Sequence, residues 1–339
     1  MKNLKPITAK VSIPTLVKAY KKRAQEIESY LSKKPGEWGR FQAEFNSEVN
    51  KVFRDIMNFE KEMLANNQEE KVYKLKQLFV NKIRATFLRG ENITWSLSKP
   101  FGYAGDFKII DAIYQNYPVT NGFDRLFDNY FQMSAISVAV RNRKDDFKRF
   151  IVDFINSSNE KDLCIMNLAS GPCREIKEII SCNTFSDKNV VFDCYDNDVN
   201  SIEYAKNLLK NTENVNFTKE NALRIAFRKD ISTLIDKKYD FIYSTGLFDY
   251  FEEKVATRAV ENLRKLLKPD GVMAIATMRD KYSNPSVHFM EWVGDWNLVY
   301  RDDDNFMKIF CAAGFNKEEI TLSYEQQGII QYITAVKTK

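Results

Sequence analysis

A helical domain followed by a Rossmann-like α/β domain is what this 339-residue sequence predicts, and three observations predict it. Before about residue 140, apolar residues recur at three-to-four spacing among charges, the pattern of amphipathic helices. From about residue 160, short apolar runs alternate with helical stretches, which argues for βαβ units and a mostly parallel sheet covered on both faces. At the end of the chain two strand-like runs lie close together, as a closing antiparallel pair would. The expected division is a helical substrate-lid domain over residues 1–140 and a sheet domain over 141–339.

The helical stretches are "SIPTLVKAYKKRAQEIESYLSK" (12–33), "FQAEFNSEVNKVFRDIMNFEKEMLA" (41–65) and "EEKVYKLKQLFVNKIRATFLRG" (69–90), the last expected to stop at a Gly90 C-cap. The strands are "DLCIMNL" (162–168), "NVVFDCYD" (189–196), "NVNFTKE" (214–220), "YDFIYST" (239–245) and "GVMAIAT" (271–277). Between them "REIKEII" (174–180), "NSIEYAKNLLKN" (200–211) and "KVATRAVENLRKLLK" (254–268) read as helices. "EEITLSYEQQG" (318–328) and "IIQYITAVKTK" (329–339) supply the closing pair.

Bulk properties narrow the function. Hydrophobic residues at 44% and aromatics at 13% suffice for a core. The net charge of +5 is mild and its basic residues are dispersed, which speaks against nucleic acid as a partner. No apolar run reaches the roughly 18 residues of a membrane span, and "MKNLKPITAK" lacks the apolar segment of a signal peptide. Cys164, Cys173, Cys182, Cys194 and Cys311 form an odd, scattered set, which suits reduced thiols in a cytoplasmic protein. With His288 the only histidine and no close cysteine pair, no metal site is expected.

In a doubly wound sheet, ligands bind beyond the carboxyl ends of the strands. The turn after the first strand lies in "NLASGPCREI" (167–176), with Asn167, Ala169, Ser170 and Gly171 as candidate contacts. A dinucleotide turn would carry G-x-G-x-x-G. Here only Gly171 remains, and Pro172, expected at the first helical position, removes an N–H donor that a phosphate would use. The turn therefore permits close approach but suits diphosphate poorly. Asp196, ending the second strand, is placed to accept both hydroxyls of a ribose, whereas Asp198 reads as a helix N-cap. Asn221 and Ala222 follow the third strand and could meet an adenine edge. After the fourth come Ser244, Thr245 and Gly246, then Phe248, Asp249, Tyr250 and Phe251, aromatics that either meet a cation or pack the next helix. An adenosine with a cationic centre and no phosphate fits S-adenosylmethionine.

These residues resemble the class I S-adenosylmethionine-dependent methyltransferases. More narrowly, "KPFGYAGDFKIIDAIY" (99–114), "AVRNR" (139–143), "ASGPCREI" (169–176), "YSTGLFDYF" (243–251), "LLKPDGVMAIATM" (266–278) and "DWNLVYR" (295–301) resemble the bacterial family of 3-hydroxypalmitic acid methyl ester biosynthesis, over about residues 95–339. The resemblance implies a class I sheet and cofactor contacts at Ala169, Gly171, Asp196, Asn221 and Ser244. Many class I enzymes carry a second glycine where this chain has Ala169 or Cys173.

On the acceptor side, Asp106 reads as the cap of the helix after "FGYAGD", and Tyr103 as an aromatic lid over the sulfonium or substrate mouth. Arg141 and Arg143 point to different helix faces, and Arg143 is the choice for the pocket. Tyr250, Arg279, His288, Tyr300 and Arg301 complete the candidate substrate-binding set, with Tyr103, Tyr250 and Arg143 as the catalytic candidates. A carboxylate acceptor, small or fatty-acyl, is already ionised near neutral pH and needs no base; an arginine could hold it. A phenol or amine would call on His288, Asp249 or Tyr250. Two alternatives stay open. One is displacement at another sulfonium carbon, by intramolecular cyclisation or aminocarboxypropyl transfer, releasing methylthioadenosine. The other is a non-catalytic cofactor-binding interaction protein.

Overall fold

The computed structural model describes residues 13–182, 187–210 and 212–338. The stretch "MKNLKPITAK", read above for a leader, lies outside them. Among the described residues, helices α1 (Ile13–Leu31), α2 (Gln42–Ala65), α3 (Glu69–Lys82), α4 (Glu91–Ser98), α5 (Phe107–Gln115), α6 (Gly122–Met133) and α7 (Ala135–Ser157) precede the sheet. There follow β1 (Asp162–Leu168), α8 (Arg174–Cys182), β2 (Asn189–Asp196), α9 (Val199–Leu208), β3 (Val215–Lys219), α10 (Ala222–Phe227), β4 (Tyr239–Ser244), α11 (Glu253–Leu266), β5 (Leu267–Met278), α12 (Asp303–Ala312), β6 (Ile320–Tyr324) and β7 (Ile330–Val336). The described residues group into two units. One holds those up to Ser98 with Pro118–Ser134 and Pro285–Trp296; the other holds Lys99–Tyr117, Ala135–Asn284 and Asn297 onward.

The first unit is helical, and aromatic rings fill it. Phe45 meets Phe127 edge-on at 4.7 Å, and Phe53 and Tyr130 both meet Phe289. The helix expected to reach Gly90 ends at Lys82. A single 3-10 turn, Arg84–Phe87, replaces its last turns, because the Thr86 hydroxyl donates to the Ile83 carbonyl and Phe87 turns inward to stack on Tyr20. Gly90 has φ +79°, and a Cβ there would lie 2.7 Å from an Asp128 oxygen. That clearance lets the α6 carboxylate of Asp128 accept the N–H groups of Glu91 and Asn92, so α4 is capped by a residue outside its own segment.

The second unit is built on a seven-stranded sheet of order β3-β2-β1-β4-β5-β7-β6. β1 to β5 run parallel, and β7 is antiparallel to both β5 and β6. This is the Rossmann-like fold of class I methyltransferases, mostly parallel with one antiparallel strand near its edge. The central strands are buried along almost their whole length, as parallel strands covered on both faces must be. β5 starts at Leu267, four residues before the expected Gly271, and the preceding helix ends at Leu266. Pairing jumps from Tyr239–Leu267 to Phe241–Val272 as the intervening residues bulge, with Asp270 left-handed at φ +60°. The strand order reverses between β1 and β4, so the crevice for a ligand opens at the carboxyl ends of those two strands. Among the described residues, no helix is long and apolar enough to cross a membrane.

Candidate active site

The turn after β1 keeps a glycine-loop backbone with a single glycine. Ala169, Gly171 and Cys173 all take left-handed φ, at +54°, +55° and +53°. For a residue with a Cβ this conformation costs roughly 1–2 kcal/mol. Because Cys173 is left-handed it cannot be helical, so α8 begins at Arg174. Pro172 therefore sits within the turn and not at the first helical position. The turn is stitched to the end of β2: the Ser170 N–H donates to the Tyr195 carbonyl at 3.1 Å, and the Gly171 N–H to Asp196 Oδ2 at 2.9 Å. Beneath it, buried Glu175 accepts from Asn167 Nδ2 at 3.1 Å and the Tyr243 hydroxyl at 2.9 Å. Burial pushes the Glu175 carboxyl above its ordinary range.

Asp196 is half-buried at the β2 terminus. Its Oδ1 accepts the Asp198 N–H at 2.9 Å and its Oδ2 the Gly171 N–H. Oδ2 also takes the Ser201 hydroxyl at 3.5 Å. Each carboxylate oxygen can accept about two hydrogen bonds, so Oδ1 retains capacity for one hydroxyl of a diol, and on Oδ2 only the long Ser201 contact competes for the second place. Burial raises its pKa, and the two backbone N–H groups oppose that rise. Asp198 caps α9 through the Asn200 N–H, and its Oδ2 receives the Tyr103 hydroxyl at 3.3 Å. Asn221 caps α10 through the Leu223 N–H at 2.8 Å and donates its own N–H to Glu220, with half-buried Ala222 beside it.

At the end of β4, buried Ser244 donates to the Leu168 carbonyl at 2.8 Å and closes the switch point. Thr245 and Gly246 follow, half-buried. Arg143, on α7, is only 4% exposed and packs its guanidinium under Gly246, where a Cβ would lie 3.5 Å from Nη1. Nη1 lies 3.7 Å from Asp249 Oδ2, and Nε has no hydrogen-bond partner among the described residues. Asp249 accepts the Met278 N–H at 2.6 Å. Its pKa is pushed up to about 6, burial outweighing the pull of Arg143. Arg141 reaches instead to the Ile113 carbonyl.

A family model described as a methyltransferase domain matches residues 159–331, half of the sequence. The chain belongs to the methyltransferase-domain family. S-adenosylmethionine is accordingly its cofactor, and methyl transfer its reaction class. No curated protein matches the chain. Among solved structures, the methyltransferase is similar to a possible exported protein from Bordetella parapertussis, at 12% identity and TM-score 0.56, covering 99% of this chain and all of that one. The citrinin polyketide synthase CMeT domain is similar at 15% identity and TM-score 0.52, over 74% of this chain and 60% of that one. A magnesium protoporphyrin IX methyltransferase from Synechocystis, crystallised with S-adenosylhomocysteine, aligns at 10% identity and TM-score 0.48 over 73% of this chain and all of that one.

The residues present fit such a cofactor: Asp196 Oδ1 has spare acceptor capacity and Oδ2 is shared only with the distant Ser201 hydroxyl, and the left-handed turn and side-chain-free Gly246 leave room for close approach. The methyltransferase's remaining candidates are distributed as follows. Arg301 is 5% exposed and donates to the Phe248 carbonyl at 2.8 Å, the Thr277 hydroxyl at 3.1 Å and the Phe251 carbonyl. Arg279 stacks on Tyr324 and pairs with Asp303 at 3.3 Å. Tyr250 is exposed and Tyr300 half-buried. His288 belongs to the helical unit, fully buried, with Nε2 2.7 Å from Glu60 Oε2. Asp106 caps α5, accepting the Lys108 and Ile109 N–H groups. Sequence reasoning missed Glu175, whose place in a first helical turn reads as a response to the helix dipole. It also missed the Tyr103–Asp198 bond, which joins residues 95 positions apart.

Proposed function

We propose that this methyltransferase transfers a methyl group to the carboxylate of a small or fatty-acyl acid, in keeping with its resemblance to the 3-hydroxypalmitic acid methyl ester family. The observation that carries the reading is the buried Arg143 guanidinium under Gly246, with Nε unpartnered. A buried cation opposed at 3.7 Å by one carboxylate leaves the end of β4 favourable to an anionic acceptor. Arg301 has its guanidinium engaged by backbone and hydroxyl oxygens, whereas Arg143, beside Tyr114 and Asp249, keeps an unpartnered Nε, so the reading uses Arg143.

When bound, S-adenosylmethionine supplies an electrophilic methyl on a sulfonium. Asp196 holds the ribose, and the Ala169–Gly171 backbone admits the adenosine. Asn221 and Ala222 border the adenine, and Ser244–Gly246 border the amino-acid portion. Arg143 orients the acceptor oxygen, and no base is required because the carboxylate arrives ionised. The chain's contribution is then chiefly proximity and exclusion of water.

The test is incubation with S-adenosylmethionine and a panel of straight-chain and 3-hydroxy fatty acids, with mass spectrometry of both products. S-adenosylhomocysteine together with a methyl ester supports the reading. Methylthioadenosine as the nucleoside product replaces it with displacement at another sulfonium carbon. Cofactor binding without either product replaces it with a binding module.

A further inference from the structure

Building on the cofactor reading above, we infer that Tyr103 is a positioning residue that closes the ribose side of the cofactor site, so that the Lys99–Tyr117 segment holds the nucleoside instead of the acceptor. Three features carry this. Tyr103 donates to Asp198 Oδ2, while Asp198 Oδ1 is taken by the backbone and side-chain N–H groups of Asn200. The Asp198 N–H in turn holds Asp196 Oδ1, so Tyr103, Asp198 and Asp196 form one chain of bonds ending at the ribose acid. The segment is also bolted to the two helices that leave the ligand turns: Asp111 of α5 forms a bidentate pair with Arg174 at the start of α8 and accepts the hydroxyl of Tyr204 on α9 at 2.5 Å.

Local structure aims the ring. Gly102, at φ +89°, turns the chain, and the Asp106 cap sets the direction of α5. The ring of Tyr103 stays 36% exposed, so it lines an accessible surface instead of the core. Burial, followed by the charges of Asp196, Asp198 and Asp106, raises its hydroxyl pKa and keeps it a neutral donor. A donor fixed beside the ribose acid orders that carboxylate's neighbour and covers the sugar.

The test is titration calorimetry with S-adenosylhomocysteine and with 5′-methylthioadenosine, which share the ribose and differ in the amino-acid chain. Losing one hydrogen bond to a carboxylate should weaken both ligands in Tyr103→Phe by the same factor, about five- to tenfold. In an Asp198→Asn background the same substitution should cost little more, a coupling that a merely structural role would not produce. Unchanged affinity for both ligands overturns the inference, and so does a loss confined to S-adenosylhomocysteine, which would place Tyr103 at the amino-acid end. A wild-type protein that binds neither ligand overturns the cofactor reading itself. Weakened binding in Asp196→Ala with none in Tyr103→Phe overturns only the role of Tyr103.

Discussion

At the carboxyl end of β2 the acid Asp196 is half-buried and only partly used, whereas after β4 and β5 Asp249 and Arg301 are buried and spent. Asp196 gives one lone pair on each oxygen to backbone N–H groups, holds the Ser201 hydroxyl on Oδ2 only at 3.5 Å, and keeps a place on Oδ1. Arg301, by contrast, binds the carbonyls of Phe248 and Phe251, and Asp249 accepts the Met278 N–H. The same residue types thus do different work according to burial. A charged side chain with spare hydrogen-bonding capacity and an open face can recognise a ligand. One whose capacity is consumed by main chain shapes the loop that others use. Arg143 stands between the two, buried yet with Nε unpartnered.

The largest expected effect tests the spent side. Arg301→Met leaves buried carbonyls unpaired and should destabilise the chain by about 3 kcal/mol in urea unfolding. Wild-type stability with a raised acceptor KM would move Arg301 to the ligand-binding side of the comparison. On the open side, Asp196→Ala would remove the charge-assisted bonds proposed between this carboxylate and the ribose. Calorimetry with S-adenosylhomocysteine should show about a hundredfold loss of affinity, and unchanged affinity would refute the ribose assignment.

Asp249 sharpens the contrast through pH. Its folded pKa of about 6 lies above the ordinary carboxylate value, so the native state takes up a proton that the unfolded chain still releases. That stabilisation is complete below about pH 4 and is lost as pH rises through about 6. Wild type should therefore gain stability relative to Asp249→Asn between about pH 7 and pH 5. A constant difference would mean that Asp249 is ionised throughout. The smallest effect concerns the turn: Ala169→Gly removes a left-handed Cβ while adding freedom to the unfolded chain, for a net gain of about 0.5 kcal/mol. Chemical unfolding would register it, and a loss would show that the Ala169 methyl packs usefully.

What the sequence discloses follows the range of the interaction. β1 and β2 read off at their true bounds because buried parallel strands are continuous apolar runs. The caps Asp106 and Asp198 act within three residues and are legible from side-chain chemistry. Asn221, read from the sequence only as a contact for an adenine edge, also caps a helix. The left-handed turn is not legible, since neither alanine nor cysteine advertises positive φ. Nor is the end of α3, where burial of Phe87 overrides a helical pattern that runs on to Gly90. Arg301 shows its residue type in "DWNLVYR", but its acceptors are the Thr277 hydroxyl and two main-chain carbonyls some fifty residues away. His288 was visible as the single histidine; its partner Glu60 is 228 positions distant.

The return of Pro285–Trp296 to the helical unit has a consequence for vectorial synthesis. Phe53, Phe79 and Tyr130, which already meet rings of the early helices, gain further ring partners in Phe289 and Trp292, and Glu60 meets His288. A ribosome must therefore polymerise the whole parallel part of the sheet before the first helices can be sealed. Through that interval the nascent chain carries an unfinished aromatic core, a window in which chaperone capture or aggregation competes with maturation.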